Sequence, residues 1–330
     1  MTTTPTPFSE LSPQRVVEAI ESLGLWLPGE PFALNSYENR VYLVQDDDRK
    51  RWVAKFYRPD RLSDEAIGEE HAFLRELDDA GVAVAAPWRN DAGESLHRAG
   101  GYRVALFPHL PGQAPELENP DHLFALGELI GRVHEVGRRG EFAHRCRQEP
   151  RAMAEQARRT VLESPWLSER QRKAYERISQ QLIEALAPPA GVSAPMQRVH
   201  GDCHIGNMLG REDRFALVDF DDAMMAPAVQ DLWMLFTAQG PEERAMQLSE
   251  VIEGYEQVID FDRQQLALIE PLRALRLMRH SAWVVARWND PAFPRAFPWV
   301  ADAGYWDEHI RQLEHQRLAL ADSERWLAGG

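Results

Sequence analysis

The sequence predicts an α+β chain in two unequal parts, a small strand-rich portion over 1–107 and a larger, mostly helical portion over 113–330, joined by the segment 108–112. Two β-branched and aromatic runs, Arg40–Gln45 and Arg51–Phe56, flank an Asp46-Asp47-Asp48 turn, and a third such run follows at 101–107. Beyond Pro108-His109-Leu110-Pro111-Gly112, apolar residues recur mainly at helical spacing. A length of 330 residues is enough to bury a large core, as one bilobal unit or as two domains.

Taken in order, residues 1–11 are rich in Thr and Pro and are expected to be disordered. Ser12 caps a helix that opens with Pro13, carries Val16, Val17, Ile20 and Leu23 as its apolar stripe, and stops at Gly24. The two runs around Asp46-Asp47-Asp48 form a β-hairpin. Lys55 lies in its second strand among Trp52, Val53, Ala54 and Phe56. A buried ammonium there needs an anion, whereas an edge-strand lysine would reach solvent. The helix beginning near Ser63 offers a partner, because Glu70 shares a face with Phe73, Leu74 and Leu77; Glu69 is its neighbour and competitor.

The loop Asn35-Ser36-Tyr37-Glu38-Asn39 holds no glycine, so any approach to phosphate would use the Ser36 hydroxyl and nearby amides; otherwise it is a polar turn. In the joining segment Pro108 and Pro111 have no N–H, which leaves His109 or Leu110 as donor to a bound base. Asp121 is expected to cap a core helix containing Leu123, Leu126, Leu129, Ile130 and Val133, with His134 structural at its end. Ser168 and Gln171 make a capping box, and 187–195 is a proline-rich connection. Asp231 opens another helix. The rest is helical, interrupted at Pro271, with an aromatic loop around Phe293, Phe297 and Trp299 that either packs or meets a partner, and a terminal helix over 307–326.

Fifty-two acidic against thirty-seven basic residues give a net charge of −15, which opposes nonspecific binding to nucleic acid or anionic membrane. Only Cys146 and Cys203 are present, so the expected compartment is a reducing cytoplasm. The opening MTTTPTPFSE lacks the basic and apolar regions of a signal peptide, and no apolar run approaches a membrane span. A monomer is expected.

The densest chemistry lies in VHGDCHIGNMLGREDRFALVDFDDAMMAPAVQD, residues 199–231. Asp202 and Asn207 are five positions apart, the interval between catalytic Asp and metal-binding Asn in the H-R-D-x-x-x-x-N loop of protein kinases. Asp219 follows an apolar strand, where a kinase has its D-F-G aspartate, but here the triplet is Asp219-Phe220-Asp221. That spacing suits phosphoryl transfer with Asp202 as base and Asn207 and Asp219 on Mg²⁺, a hard ion that prefers oxygen. Three other readings remain: a zinc site from His200, Cys203 and His204, polar residues that only cap turns, and nucleotide binding without catalysis.

H-G-D-x-H-x-x-N, then D-F-D, then Q-D-L, resembles the aminoglycoside-phosphotransferase and choline-kinase group of protein-kinase-like enzymes. Asn35-Ser36-Tyr37-Glu38-Asn39-Arg40 and Val229-Gln230-Asp231-Leu232-Trp233-Met234-Leu235 narrow the resemblance to the bacterial stress response kinase A family. The likeness runs from about Pro31 to the C-terminal helices. It implies a bilobal protein-kinase-like fold of the aminoglycoside phosphotransferase type, with ATP and Mg²⁺ as cofactors. It also implies that Lys55, in a V-A-K strand like the kinase V-A-I-K, contacts phosphate and that Glu70 positions it. Ser36 would cover the nucleotide, His109 would lie at the hinge and Asp231 would support the catalytic loop. The implied acceptors are Ser or Thr hydroxyls of proteins, with a small-molecule alcohol as the alternative.

Overall fold

The computed structural model describes residues 6–187, 192, 194–211, 214–238, 240–321 and 326. The chain divides into two compact units, one made of Met1–Cys146, Gln197–Met225 and Glu250–Asp260, the other of Arg147–Met196, Ala226–Ser249 and Phe261–Gly330.

The first unit begins with α1 (Pro13–Glu21), whose N-terminus is capped by the Ser12 side chain accepting the Arg15 N–H. A five-stranded sheet follows, in the order β1 (Phe32–Ala33), β2 (Arg40–Gln45), β3 (Arg51–Phe56), β5 (Tyr102–Pro108), β4 (His97–Ala99), with every neighbouring pair antiparallel. The register sets Lys55 opposite Val41 on one side and Ala105 on the other, so the lysine is in the central strand and not at an edge. The turn between β2 and β3 is built by Asp46, which accepts the Lys50 N–H at 2.7 Å and the Trp52 Nε1–H at 2.8 Å. Between β3 and β4 lies α2 (Asp64–Asp79), capped by Ser63.

Residues 1–5 lie outside the described residues, but the rest of the segment expected to be disordered is not so. Phe8 packs in the core with Val16, Ile20, Trp52 and Phe56, and its ring stacks on Tyr102 at 5.7 Å. One aromatic ring with somewhere to dock outweighs a Thr- and Pro-rich composition.

Next, α3 (Pro120–Gly137) is capped by Asn119, not by Asp121 as expected. Pro120 occupies the first helical position, where a missing N–H costs nothing, and Asn119 accepts the Asp121 N–H at 3.0 Å. Gly127 of α3 and Gly254 press backbone against backbone. A Cβ on Gly127 would lie 2.1 Å from the Val251 carbonyl oxygen, and one on Gly254 would lie 2.0 Å from that of Phe124. The remaining strands are β6 (Gln197–Val199), β7 (Met208–Arg211), β8 (Arg214–Leu217) and β9 (Met224–Ala226), and β7 and β8 pair antiparallel.

The second unit is helical: α4 (Pro150–Glu163), α5 (Glu169–Ala185), α6 (Val229–Leu232), α7 (Pro241–Glu256, whose end counts with the first unit), α8 (Ile269–Ala286), α9 (Ala292–Ala296) and α10 (Ala303–Leu320). The Ser168/Gln171 capping box is present at α5. Tyr175, Ile178, Leu182, Met278, Phe293, Trp306 and Leu313 share its core. Pro271 does not interrupt α8; it sits in the first turn, where the N–H has no intrahelical acceptor to lose. The aromatic stretch is α9 and a following turn, and it packs: Phe293 is fully buried, with Trp283 4.9 Å and Phe297 5.7 Å away. Most of the 187–195 connection and residues 322–325 of the terminal helix lie outside the described residues. Among the described residues no helix is long and apolar enough to cross a membrane.

Candidate active site

β6 delivers His200 into a tight loop. Gly201 has φ +88°, and a Cβ there would lie 2.1 Å from the Asp222 carbonyl oxygen, so only glycine fits. His200 is fully buried with both ring nitrogens engaged: Nδ1 accepts the Asp202 N–H at 3.3 Å and Nε2 donates to the Val218 carbonyl at 2.9 Å. The ring thus carries its proton on Nε2 and has no lone pair for a metal. His204 caps the short turn Ile205–Asn207, its Nδ1 accepting the Gly206 N–H at 2.9 Å. Cys203 is wholly buried. The zinc reading fails on these engagements, and among the described residues no group of three or more His, Cys, Asp or Glu is arranged for a metal.

Asp202 stands at the loop's open side, its side chain about a quarter exposed and one oxygen 3.5 Å from His204 Nε2. Asn207 closes the loop by donating from Nδ2 to the Asp202 carbonyl at 3.0 Å, which turns its Oδ1 away from that bond. The β7–β8 pairing, Met208 opposite Leu217, is prolonged by Val218 N–H to the Asn207 carbonyl at 3.0 Å. Asn207 and Asp219 therefore emerge side by side from one end of a hairpin. Asp219 has φ 61° and ψ 66°, a left-handed conformation unusual for a non-glycine residue, and its carboxylate is half exposed.

Lys55 meets three carboxylates: Asp221 at 2.7 Å, Asp219 at 2.9 Å and Glu70 at 3.8 Å. Burial works against its charge, but Asp219, Asp221 and Glu70 together outweigh it and hold the ammonium pKa well above the ordinary lysine value. Burial raises Glu70 despite Lys55 and Arg145. For Asp221, Lys55 and Arg61 overcome the same burial and its pKa falls. Asp221 has the closer Lys55 together with Arg61 and Asn39, whereas Glu70 also feels the negative charges of Asp221 and Asp219, so the two carboxylates shift in opposite directions.

Glu69 is a different device. Its carboxylate accepts the N–H groups of Ala143, His144 and Arg145 at 2.7–3.0 Å, and so holds the segment that carries Arg145. Arg145 is buried and donates to the carbonyls of Ala66, Phe220, Asp221 and Ala223 and to Glu70 at 3.3 Å, tying α2 to the Asp219-Phe220-Asp221 segment. Nothing in the sequence marked Arg145, which lies in a polar stretch without periodicity. Arg61 was missed for the same reason. It contacts Asp221 closely and Asp222 at 2.8 Å.

Ser36 lies in the loop between β1 and β2 and donates from Oγ to the Asn39 carbonyl at 3.2 Å. At 108–112, β5 runs through Pro108, and the His109 N–H is spent on the Arg51 carbonyl at 3.2 Å. Of the two expected amide donors that leaves Leu110, whose N–H has no partner among the described residues. Asp231 belongs to the second unit and is inside α6, almost fully buried; it does not cap that helix, which opens at Ala228.

A β-sheet lysine held by a helix glutamate, an aspartate opposite it, and a loop joining Asp202 to Asn207 define the kinase-like phosphotransferases as a class. Residues 30–269 match the model of the phosphotransferase enzyme family. The chain is 41% identical over 313 residues to "Serine/threonine protein kinase RdoA" of Salmonella typhimurium, covering 95% of this chain and 94% of the relative. It is 40% identical over 322 residues to "Stress response kinase A" of Escherichia coli K12, covering 96% and 95%. The chain belongs to the phosphotransferase enzyme family, in its stress response kinase A group, and is an ATP-dependent kinase. Among solved structures, an amicoumacin kinase bound to AMP-PNP, Ca²⁺ and amicoumacin superposes with TM-score 0.70 at 20% identity over 92% of each chain. A microcompartment-associated aminopropanol kinase gives 0.65 at 18% over 88% and 94%. These two share the fold.

Proposed function

We propose that this kinase transfers the γ-phosphoryl group of ATP to Ser and Thr hydroxyls of proteins, with Asp202 as the base. The observation that carries the reading is the assembly of Asp202, Asn207 and Asp219, from the single stretch 202–219, with Lys55 from the distant strand β3 into one site, together with extensive identity to a relative named for Ser/Thr protein phosphorylation. Asp202 accepts the hydroxyl proton while the acceptor oxygen bonds to phosphorus and the bond to the ADP oxygen breaks. Lys55 is charged whenever the site works and contacts phosphate oxygens; Glu70 positions it and is itself held by Arg145.

The donor set suits Mg²⁺: Asn207 Oδ1 and the half-exposed Asp219 carboxylate are oxygens, and magnesium takes few protein ligands when phosphates supply others. Bound there, it would neutralise charge on the phosphates. Ser36 covers the nucleotide, and hinge backbone at 108–112, Leu110 more than His109, meets the base between a nucleotide lobe over 1–107 and a catalytic lobe over 113–330. Asp231 gives structural support. The protein acts as a monomer in the cytoplasm, with no nucleic-acid or membrane partner.

Labelled ATP offered with Mg²⁺ to the protein, to a generic basic protein and to a panel of small alcohols tests this. Label on Ser or Thr of protein, lost in Asp202→Ala, is the expected result. No protein label with rapid turnover of choline or an aminoglycoside would place the acceptor among small molecules.

A further inference from the structure

Two departures from the kinase pattern meet in a single contact. The loop 35–39 has no glycine, and the third residue of Asp219-Phe220-Asp221 is an aspartate. Asn39 Nδ2 donates to Asp221 Oδ2 at 2.7 Å, and both residues are buried, at 3% and 6% exposure.

Asn39 is also the node of its own loop. Its Oδ1 accepts the Arg58 N–H at 2.9 Å, and its carbonyl accepts the Ser36 hydroxyl at 3.2 Å and Arg40 at 3.0 Å. Arg40 and Arg58 each donate to the Tyr37 carbonyl at 3.1 Å, and Arg58 reaches that of Glu38 at 2.8 Å. Three successive carbonyls are thereby captured by side chains from outside the loop. A glycine loop approaches phosphate because its backbone is free to adopt unusual angles; here the peptide planes are set by arginines and one asparagine.

Across the contact, both oxygens of Asp221 face cations. Lys55 takes Oδ1, while Asn39 and Arg61 share Oδ2. Each of these cations is shared with other carboxylates, Lys55 with Asp219 and Glu70 and Arg61 with Asp222, so the uncharged Asn39 amide is the partner that ties Asp221 directly to the loop.

We propose that Asn39 and Asp221 form a clasp that sets the nucleotide-covering loop against the segment carrying Asp219, which makes both of them positioning residues for ATP. The proposal rests on the reading of Ser36 and Asp219 as nucleotide-side residues. A loosened clasp leaves the loop wandering over the phosphates, so the deficit appears in nucleotide affinity before it appears in turnover.

Asn39→Asp isolates the contact, since it keeps an oxygen for the Arg58 N–H but turns a second carboxylate on Asp221. KM for ATP should rise about ten- to a hundredfold, the range for losing a charge-assisted hydrogen bond, with kcat changed far less. Adding Asp221→Asn restores a donor opposite an acceptor and should recover most of that rise. An unchanged KM in Asn39→Asp, or a rise that the exchange does not reduce, overturns the clasp. If Asn39→Asp does not fold, the comparison is between Asp221→Asn and the double exchange, and the double must bind ATP more tightly for the proposal to stand. Asp219→Ala separates the two levels: if it keeps normal turnover the phosphotransfer reading fails, whereas an inactive Asp219→Ala beside a normal Asn39→Asp rejects the clasp alone.

Discussion

Replacing Lys55 by methionine should unfold this protein more readily as well as silence it. The side chains of Lys55, Asp221 and Glu70 are only 7%, 7% and 1% exposed, so removing the ammonium takes a shared cation from two carboxylates in a dry environment and leaves Arg61 alone to face Asp221 and Arg145 alone to face Glu70. Breaking a buried ion pair from one side costs about 3–5 kcal/mol. Asp219 is 55% exposed and adds little, because water screens its share. Urea denaturation followed by tryptophan fluorescence reads the loss; with m of about 3 kcal/mol per M, the midpoint should fall by about 1 M or more. The deficit also has a pH signature. Burial already raises the Glu70 carboxyl, and without Lys55 to oppose it Glu70 holds its proton in the folded chain at pH values where the unfolded chain has released it. A carboxyl group with a raised folded pKa destabilises above its unfolded value, so the gap to wild type should widen from pH 5 to pH 8. Asp221→Asn in the Lys55→Met background should return part of the stability, since it removes one of the two charges that lost the shared cation. A Lys55→Met protein with the wild-type midpoint at pH 8 would refute the whole argument.

Asp202→Asn should keep the fold and nucleotide binding and lower kcat by about 10²-fold or more, measured by steady-state phosphotransfer; unchanged turnover would remove Asp202 as base. Asn207→Ala and Asp219→Ala should each abolish most Mg²⁺-supported activity, and zinc alone added after chelation should restore neither these variants nor wild type, as followed by metal titration of activity. Acid should destabilise the fold through buried neutral histidines: burial lowers His71 to about 3 and His309 to about 4. Between pH 6.5 and 5 the unfolded chain binds protons these folded rings refuse, so stability falls by about 1.4 kcal/mol per pH unit for each, about 2 kcal/mol apiece over that window. Equilibrium denaturation against pH checks this, and His71→Gln should remove its share of the slope.

Much of the candidate site was legible because its residues sit at short intervals along the chain. Asp202, Asn207 and Asp219 lie within eighteen positions, counted from 202 to 219 inclusive, and a loop and hairpin bring them together with little help from the rest of the chain. Lys55 was legible as an oddity, a cation in an apolar strand, and its central place in the sheet confirms the burial that the neighbours implied. Helix caps at Ser12 and Ser168, and a helix start near Ser63, were readable since each depends on three or four adjacent residues. Phe8, α4 and the Asn119 cap were not: the first needs a docking site made by distant strands, the second was passed over in a polar stretch, and at the third two acceptors stood two positions apart.

By itself, then, the sequence determined the α+β class, the hairpin, the periodic helices and the Asp202–Asp219 stretch as the candidate site, all of them consequences of local periodicity and spacing. Periodicity left Glu70 and Glu69 level and the resemblance favoured Glu70; the tertiary structure shows these helix neighbours at different tasks, Lys55 and Arg145 for one and three backbone amides for the other. It alone brought Arg145 and Arg61 to the Asp219-Phe220-Asp221 segment, and it alone joined Asn39 to Asp221 across 182 positions. The physical reason is that charge burial is a property of an environment: a carboxylate or guanidinium acquires its role from whichever partners share its low-dielectric surroundings, and those partners are chosen by the fold and not by distance along the chain.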